Sequence, residues 1–312
     1  MSIRPLDLLD LPTLYHYRGE AVSFDATRLL TRGNPLGAMG VMAYINPRRH
    51  IYSAVSANDG TTVLGGIIHT YGETFAKILY LAPASQMVNP ALPGLIENLT
   101  AEAGKWGAFH VLAEVDEMSE AFVPLRTAGF SVYAWQRMWD VSALTTADLD
   151  SRWLRVRSID LPSIQSLFHQ IVPPLLQPLE HMPKRAIGFM CNEGVKCYVS
   201  TSSGLAGIVL FPLIHPEATD VSAKLLSMIK QLPNRNGRPV YVCVRSYQAW
   251  LEPVLEDLGA KSAARQAVMV KHLTRLVKEE QTVRATQPAG VTVQPSRVSR
   301  MAGKKESTSV IK

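Results

Sequence analysis

Ile3-Arg4-Pro5-Leu6 and Asp10-Leu11-Pro12 open the chain, and Leu154-Arg155-Val156-Arg157 and Asp160-Leu161-Pro162 repeat the pattern 150 residues later. Each reads as an Arg-bearing strand followed by a helix start, with Asp at the cap and Pro in the first turn, where its missing N–H costs nothing. Two further landmarks recur in the same order. Val63-Leu64-Gly65-Gly66-Ile67-Ile68 is matched by Leu205-Ala206-Gly207-Ile208-Val209, and Pro124-Leu125-Arg126-Thr127-Ala128-Gly129-Phe130 by Pro253-Val254-Leu255-Glu256-Asp257-Leu258-Gly259-Ala260. Ordered self-similarity of this kind predicts two related domains, residues 1–146 and 150–278, followed by a tail over 279–312.

With 312 residues and 47% hydrophobic content, each half is large enough to bury a core of its own. The net charge of +6 is confined to the end of the chain: residues 1–270 hold 23 Lys/Arg and 23 Asp/Glu, residues 271–312 nine and three. The tail lacks any helical or alternating period and reads as a disordered, solvated basic segment. It offers nucleic acid at most a weak attraction, and the neutral body argues against a dedicated nucleic-acid protein. No signal pattern and no apolar run of about 18 residues is present, so a cytoplasmic protein without a membrane partner is expected. Cys191, Cys197 and Cys243 read as reduced, buried thiols, and no metal site is expected.

The first half reads as strand Ser2–Leu6, a helix from Asp10, a second helix over about Gly19–Leu30, then three strands. The first two of these are joined through Asn58-Asp59-Gly60, a hairpin signal. After Lys77–Ala82 a loop leads into an amphipathic helix with Leu95, Leu99, Ala103 and Trp106 on one face. Strand Phe109–Val115, helix Ser119–Ala128 and strand Phe130–Val141 close the domain. This order, β-α-α-β-β-β-α-β-α-β, resembles the GNAT acetyltransferase superfamily. The resemblance covers most of residues 2–141 and implies an α/β (α+β) fold of two tandem GNAT-like domains, each a mixed, mostly antiparallel sheet flanked by helices.

The resemblance also implies an N-acetyltransferase that uses acetyl-CoA or another acyl-CoA as co-substrate. The superfamily holds the pyrophosphate on backbone N–H groups of a loop entering a helix, in the pattern Arg/Gln-x-x-Gly-x-Gly/Ala, because a helix N-terminus offers unpaired donors and the positive dipole end. The acyl-CoA contacts so implied are Leu81, Ala82, Pro83, Gln86, Met87, Asn89 and Ala91. Asn89 stands where a glycine is usual, Met87 adds bulk, and Pro90 removes a donor. The plain alternative makes Asn89-Pro90 a helix-start pair that meets no ligand. Glu114 is the implied general base, its alternative being a salt-bridged carboxylate. The family's acid Tyr is replaced by Leu125 and an accompanying Asn by Met118; Tyr133 is the substitute available.

The second half departs further. Gly66 and Gly129 lie 63 residues apart, Gly207 and Gly259 only 52, so a strand is expected to be missing. His215-Pro216-Glu217-Ala218-Thr219-Asp220 has two carboxylates and no glycine where the phosphate loop would fall, and Asp220 reads as a helix cap. Leu255 takes the Tyr position, and the half reads as structural. Two functions compete: an acyltransferase acting on an unidentified small-molecule or peptide amine, with acceptor loops at Gly33–Gly40 and Pro173–Pro183, and a non-catalytic binding or regulatory protein that kept the fold and lost the loop.

Overall fold

The computed structural model describes residues 2–37, 49–58, 61–144, 153–191 and 195–273. The boundary expected near 146–150, the tail 279–312, Asp59-Gly60 and the end of the Gly33–Gly40 loop lie outside them. The first half contains β1 (Ser2–Pro5), α1 (Leu11–His16), β2 (Val22–Ser23), α2 (Ala26–Arg32), β3 (Arg49–Asn58), β4 (Thr61–Thr70), β5 (Phe75–Ala82), α3 (Leu92–Lys105), β6 (His110–Asp116), α4 (Phe122–Thr127) and β7 (Ser131–Asp140). The second contains β8 (Trp153–Arg155), α5 (Leu161–Ile171), β9 (Phe189–Cys191), β10 (Cys197–Ser203), β11 (Ile208–Ile214), α6 (Val221–Gln231), β12 (Val240–Arg245), α7 (Leu251–Asp257), β13 (Lys261–Ser262) and β14 (Gln266–His272).

The repeat is visible at the level of single hydrogen bonds. Asp10 and Asp160 precede their helices, yet neither side chain caps the helix. Each reaches back instead: Asp10 Oδ2 accepts from the Asp7 N–H at 3.0 Å and pairs with Arg4 at 2.6 Å, while Asp160 Oδ2 accepts from the Arg157 N–H at 2.8 Å. Asp220 likewise stands at a cap position without bonding from its side chain, at φ 50°. Asp25 does cap, accepting from the Arg28 N–H at 3.0 Å, and this starts α2 at Ala26. The helix expected over Gly19–Leu30 is therefore replaced by a short strand and a later helix.

All strands join one sheet in the order β1-β3-β4-β5-β6-β14-β7-β12-β11-β10-β9-β8, with β2 against β5 and β13 against β7. The last strand of each half is exchanged. β14 lies between β6 and β7, pairing Val268 with both Glu114 and Ala134, and β7 lies between β14 and β12. Strand β7 thus does not close a first domain. It carries the sheet across the junction. No strand is missing from the second half: β8 to β12 mirror β1 and β3 to β6 in sheet position, and the Gly207–Gly259 interval is shorter because Gly207 stands just before β11, one strand later than Gly66 in β4. By sheet position β4 matches β10, so the two Gly-bearing strands are not equivalents. Gly66 leaves room for the Tyr80 ring, which a Cβ would overlap, whereas Gly207 lets the Leu30 carbonyl of α2 approach, 2.7 Å from where a Cβ would stand.

Two main cores lie under the helices. Leu92, Leu95, Ile96, Leu99 and Ala103 of α3 pack on β4, β5 and β6, and Leu225, Met228 and Ile229 of α6 pack on β11 and β12. On the opposite face each half covers the other. Ala26 and Leu30 of α2 join Val209 and Cys243, and Leu179 from the Pro173–Pro183 segment joins Leu112 and Val270. No helix among the described residues is long and apolar enough to cross a membrane.

Candidate functional site

Strands β5 and β6 run parallel and pair only over Phe75–Lys77 with His110–Leu112, then part. Strands β11 and β12 do the same after Leu210 and Val242. Parting exposes backbone donors and acceptors that need partners, and in the first half the chain supplies them itself. Val22 pairs with Leu81 and Ser23 with Tyr80. The Phe24 N–H donates to the Leu79 carbonyl at 3.1 Å, and the Phe24 carbonyl accepts from the Glu114 N–H at 2.9 Å. One residue so bridges both strands, its side chain fully buried in the core beneath α3. The Ala84 N–H, just beyond β5, donates to the Glu20 carbonyl at 2.7 Å.

Beside this bridge lies a cluster of charges drawn from both halves. Lys77 Nζ is 3.2 Å from Asp25 Oδ2 and 3.8 Å from Glu114 Oε1, and Glu114 Oε2 accepts from the Ala26 N–H at 2.8 Å. Burial opposes charge on both members of the closer pair, yet Coulombic attraction prevails: Lys77 titrates above its ordinary value and Asp25 below it. Arg245 pairs with Glu180 at 3.4 Å, and burial raises the Tyr133 hydroxyl against the pull of the Arg245 cation. Burial likewise pushes the Cys243 thiol up to about 12.

In the second half the parted edge is met by a side chain. The Ile214 N–H donates to Gln248 Oε1 at 2.9 Å, and Gln248 Nε2 donates to the Pro212 carbonyl at 2.8 Å. Thus each half retains the divergence of two central parallel strands and fills it by a different device.

Comparison with solved structures finds similar folds. A GCN5-related N-acetyltransferase from Sphaerobacter thermophilus superposes with TM-score 0.54 at 11% identity, over 87% of this chain and 95% of that one. The chain has the GNAT fold, twice over. A tandem GNAT protein from the clavulanic acid biosynthesis pathway is also similar, at TM-score 0.49 and 12% identity over 88% of this chain and 99% of that one. No family model and no curated protein matches the sequence.

The GNAT residues expected from the sequence fall into two places. Glu114 on β6 and Tyr133 on β7 stand on either side of β14, and the Glu114 charge adds to the rise that burial gives the Tyr133 hydroxyl. Leu81, Ala82, Pro83, Gln86, Met87, Asn89 and Ala91 lie at the far end of β5 and in the turn after it. That turn spends most of its donors on itself. The N–H groups of Gln86, Met87, Asn89 and Leu92 donate to the carbonyls of Pro83, Ala84, Gln86 and Asn89, and the Ala91 N–H donates to Asn89 Oδ1 at 2.9 Å. Met87 and Ala91 are buried in the core. Leu125, at the family's Tyr position, is core, and Met118 is 93% exposed. Phe24, Lys77, Glu180, Arg245 and Gln248 were not singled out by sequence reasoning. The one available signal was Lys77 opening the otherwise apolar run Ile78–Ala82.

Proposed function

We propose that this tandem GNAT-fold chain, divided near residues 146–150, is a cytoplasmic non-catalytic binding or regulatory protein. The observation that carries this reading is the main chain of Phe24 spanning Leu79 and Glu114. Acyl-CoA in this fold needs a free strand edge and a helix-entry loop with unpaired N–H groups. The edge from Leu79 to Leu81 is paired with Val22–Phe24, and the Gln86–Leu92 turn bonds internally. The residues present therefore do not fit acyl-CoA with this segment in place. Glu114 serves instead to anchor the start of α2 and to balance Lys77.

A second reading, N-acyl transfer from acyl-CoA to an unidentified amine in the first half, draws on the divergence of β5 and β6, with the Glu114 carboxylate at the parting strand. It requires Val22–Asp25 to leave the cleft.

Titration of the full chain with acetyl-CoA to millimolar concentration, read by calorimetry and thermal unfolding, separates the two. Absence of heat and of any shift in Tm is the expected result. Saturable binding with a rise in Tm would overturn the non-catalytic reading.

A further inference from the structure

We propose that His110 and His272 form a two-imidazole site for a late first-row divalent metal ion of the Cu2+, Ni2+ and Zn2+ class, tying the exchanged strand β14 to β6. The two residues are direct partners in the antiparallel register. Their Nδ1 atoms lie 3.0 Å apart, with the rings edge to face at 89° and centroids 4.9 Å apart. Imidazole binds these ions at about 2.0–2.1 Å, so two nitrogens at the right angle that tetragonal Cu2+ and Ni2+ favour stand ~3.0 Å apart. The spacing is therefore that of a cis chelate once ring rotation turns both lone pairs from each other toward a common point. The pair is open to solvent, which admits an ion and lets water complete its coordination.

Imidazole nitrogen suits copper, nickel and zinc, and the order of affinities places Cu2+ first. No third His, Cys, Asp or Glu joins the pair among the described residues, so the site is a bidentate one with open positions. The other close pair has different geometry: His50 and His69 stack with centroids 6.2 Å apart, and His69 Nε2 is engaged with the Glu73 carbonyl at 2.9 Å. Placement gives the first pair its consequence. His272 ends the last strand of the second half and His110 begins a central strand of the first, so an ion held by both fastens one half's strand into the other's sheet.

The test is Cu2+ alone, added to the full chain, followed by electron paramagnetic resonance and thermal unfolding. One Cu2+ per chain with nitrogen hyperfine coupling and a Tm that rises with copper and reverts with EDTA is expected. His272→Ala and His110→Ala should each weaken binding at least about tenfold, since removing even an outer-shell partner of a metal ligand costs that much. His181→Ala should bind as the parent does. His272→Asn, checked by circular dichroism, guards against a folding defect, because the position is on the surface. Copper binding unchanged in both variants, or no effect of copper on the parent, would overturn the proposal and leave the pair as a hydrogen bond between two imidazoles.

Discussion

The Phe24 carbonyl accepts a hydrogen bond from the Glu114 N–H at 2.9 Å, across the gap where β5 and β6 have parted. A chain segment that local propensity assigns to a helix start thus becomes a filler between two strands of the sheet it flanks. Because the bond is to main chain, the filler is held by position as well as by side chain, and Phe24 adds an aromatic ring to the core below.

Truncating that ring measures how firmly the segment is held. Phe24→Ala removes a fully buried side chain and should cost about 3–5 kcal/mol, the transfer loss plus a residual cavity. Urea unfolding gives the value. A loss below about 1 kcal/mol would show that Val22–Asp25 does not occupy the cleft in solution.

The Lys77 cation sits between two carboxylates, so its removal should be felt most where both are ionised. Lys77→Met leaves Asp25 and Glu114 buried without their cation and should destabilise by about 3–5 kcal/mol at pH 7. The sign with pH follows from Asp25, whose pKa is depressed in the folded state, the Lys77 and Arg28 interactions outweighing burial. Its contribution is fully present above the unfolded value of about 3.9 and is lost as pH falls through the lower folded value. Stability measured from pH 5 down to pH 2 should therefore fall in the parent, and the Asp25 part of that fall should be smaller in the variant, where only the Arg28 contacts still oppose burial. Equal acid slopes in the two proteins would contradict the pairing.

All three thiols are free and buried, and Cys243 is held at about 12 by burial against the opposing Arg245 charge. A thiol so protonated is a poor nucleophile. Iodoacetamide at pH 8 should leave Cys243 unmodified in the folded protein and alkylate it promptly in urea, as peptide mass spectrometry reports. Modification at similar rates in both conditions would mean that the junction between the halves is open.

The sequence exposes the two-fold plan because its landmarks are local: Asp-Leu-Pro twice, and Leu-Gly or Ala-Gly after each short helix. Strands β3 to β6 follow from apolar runs bounded by turn residues, and they stand within one or two residues of where those runs place them, apart from the end of β3, which continues three residues past the His50–Val55 run. Pairing partners are another matter. Val268 meets Glu114 across 154 residues of chain, and no periodicity in either segment encodes that meeting. The strand exchange is therefore invisible to local reasoning, as is β2, a two-residue strand whose only cause is the unsatisfied edge beside it. Gly66 and Gly207 were matched by identity, but one accommodates a tyrosine ring and the other a helix carbonyl, a distinction made by tertiary neighbours. The candidate site was legible in its residue types and not in its state: Asn89 and Pro90 announced a poor cradle, while the segment filling the cleft came from 60 residues upstream.

Gln248 offers the complementary test in the second half. Its carboxamide serves the Ile214 N–H and the Pro212 carbonyl, both on the strand edge that diverges from β12. Gln248→Leu keeps the volume and removes both bonds, leaving a buried donor and a buried acceptor without partners. Each unmet group costs about 1–3 kcal/mol, so a loss of roughly 2–5 kcal/mol is expected. The mechanism has its own readout, because the Ile214 amide would lose its acceptor while its neighbours in the β10–β11 ladder keep theirs. Native-state hydrogen exchange should accelerate at Ile214 beyond the change shared by the whole sheet. If Ile214 merely follows global unfolding, the side chain is a packing residue and the edge is satisfied by something else.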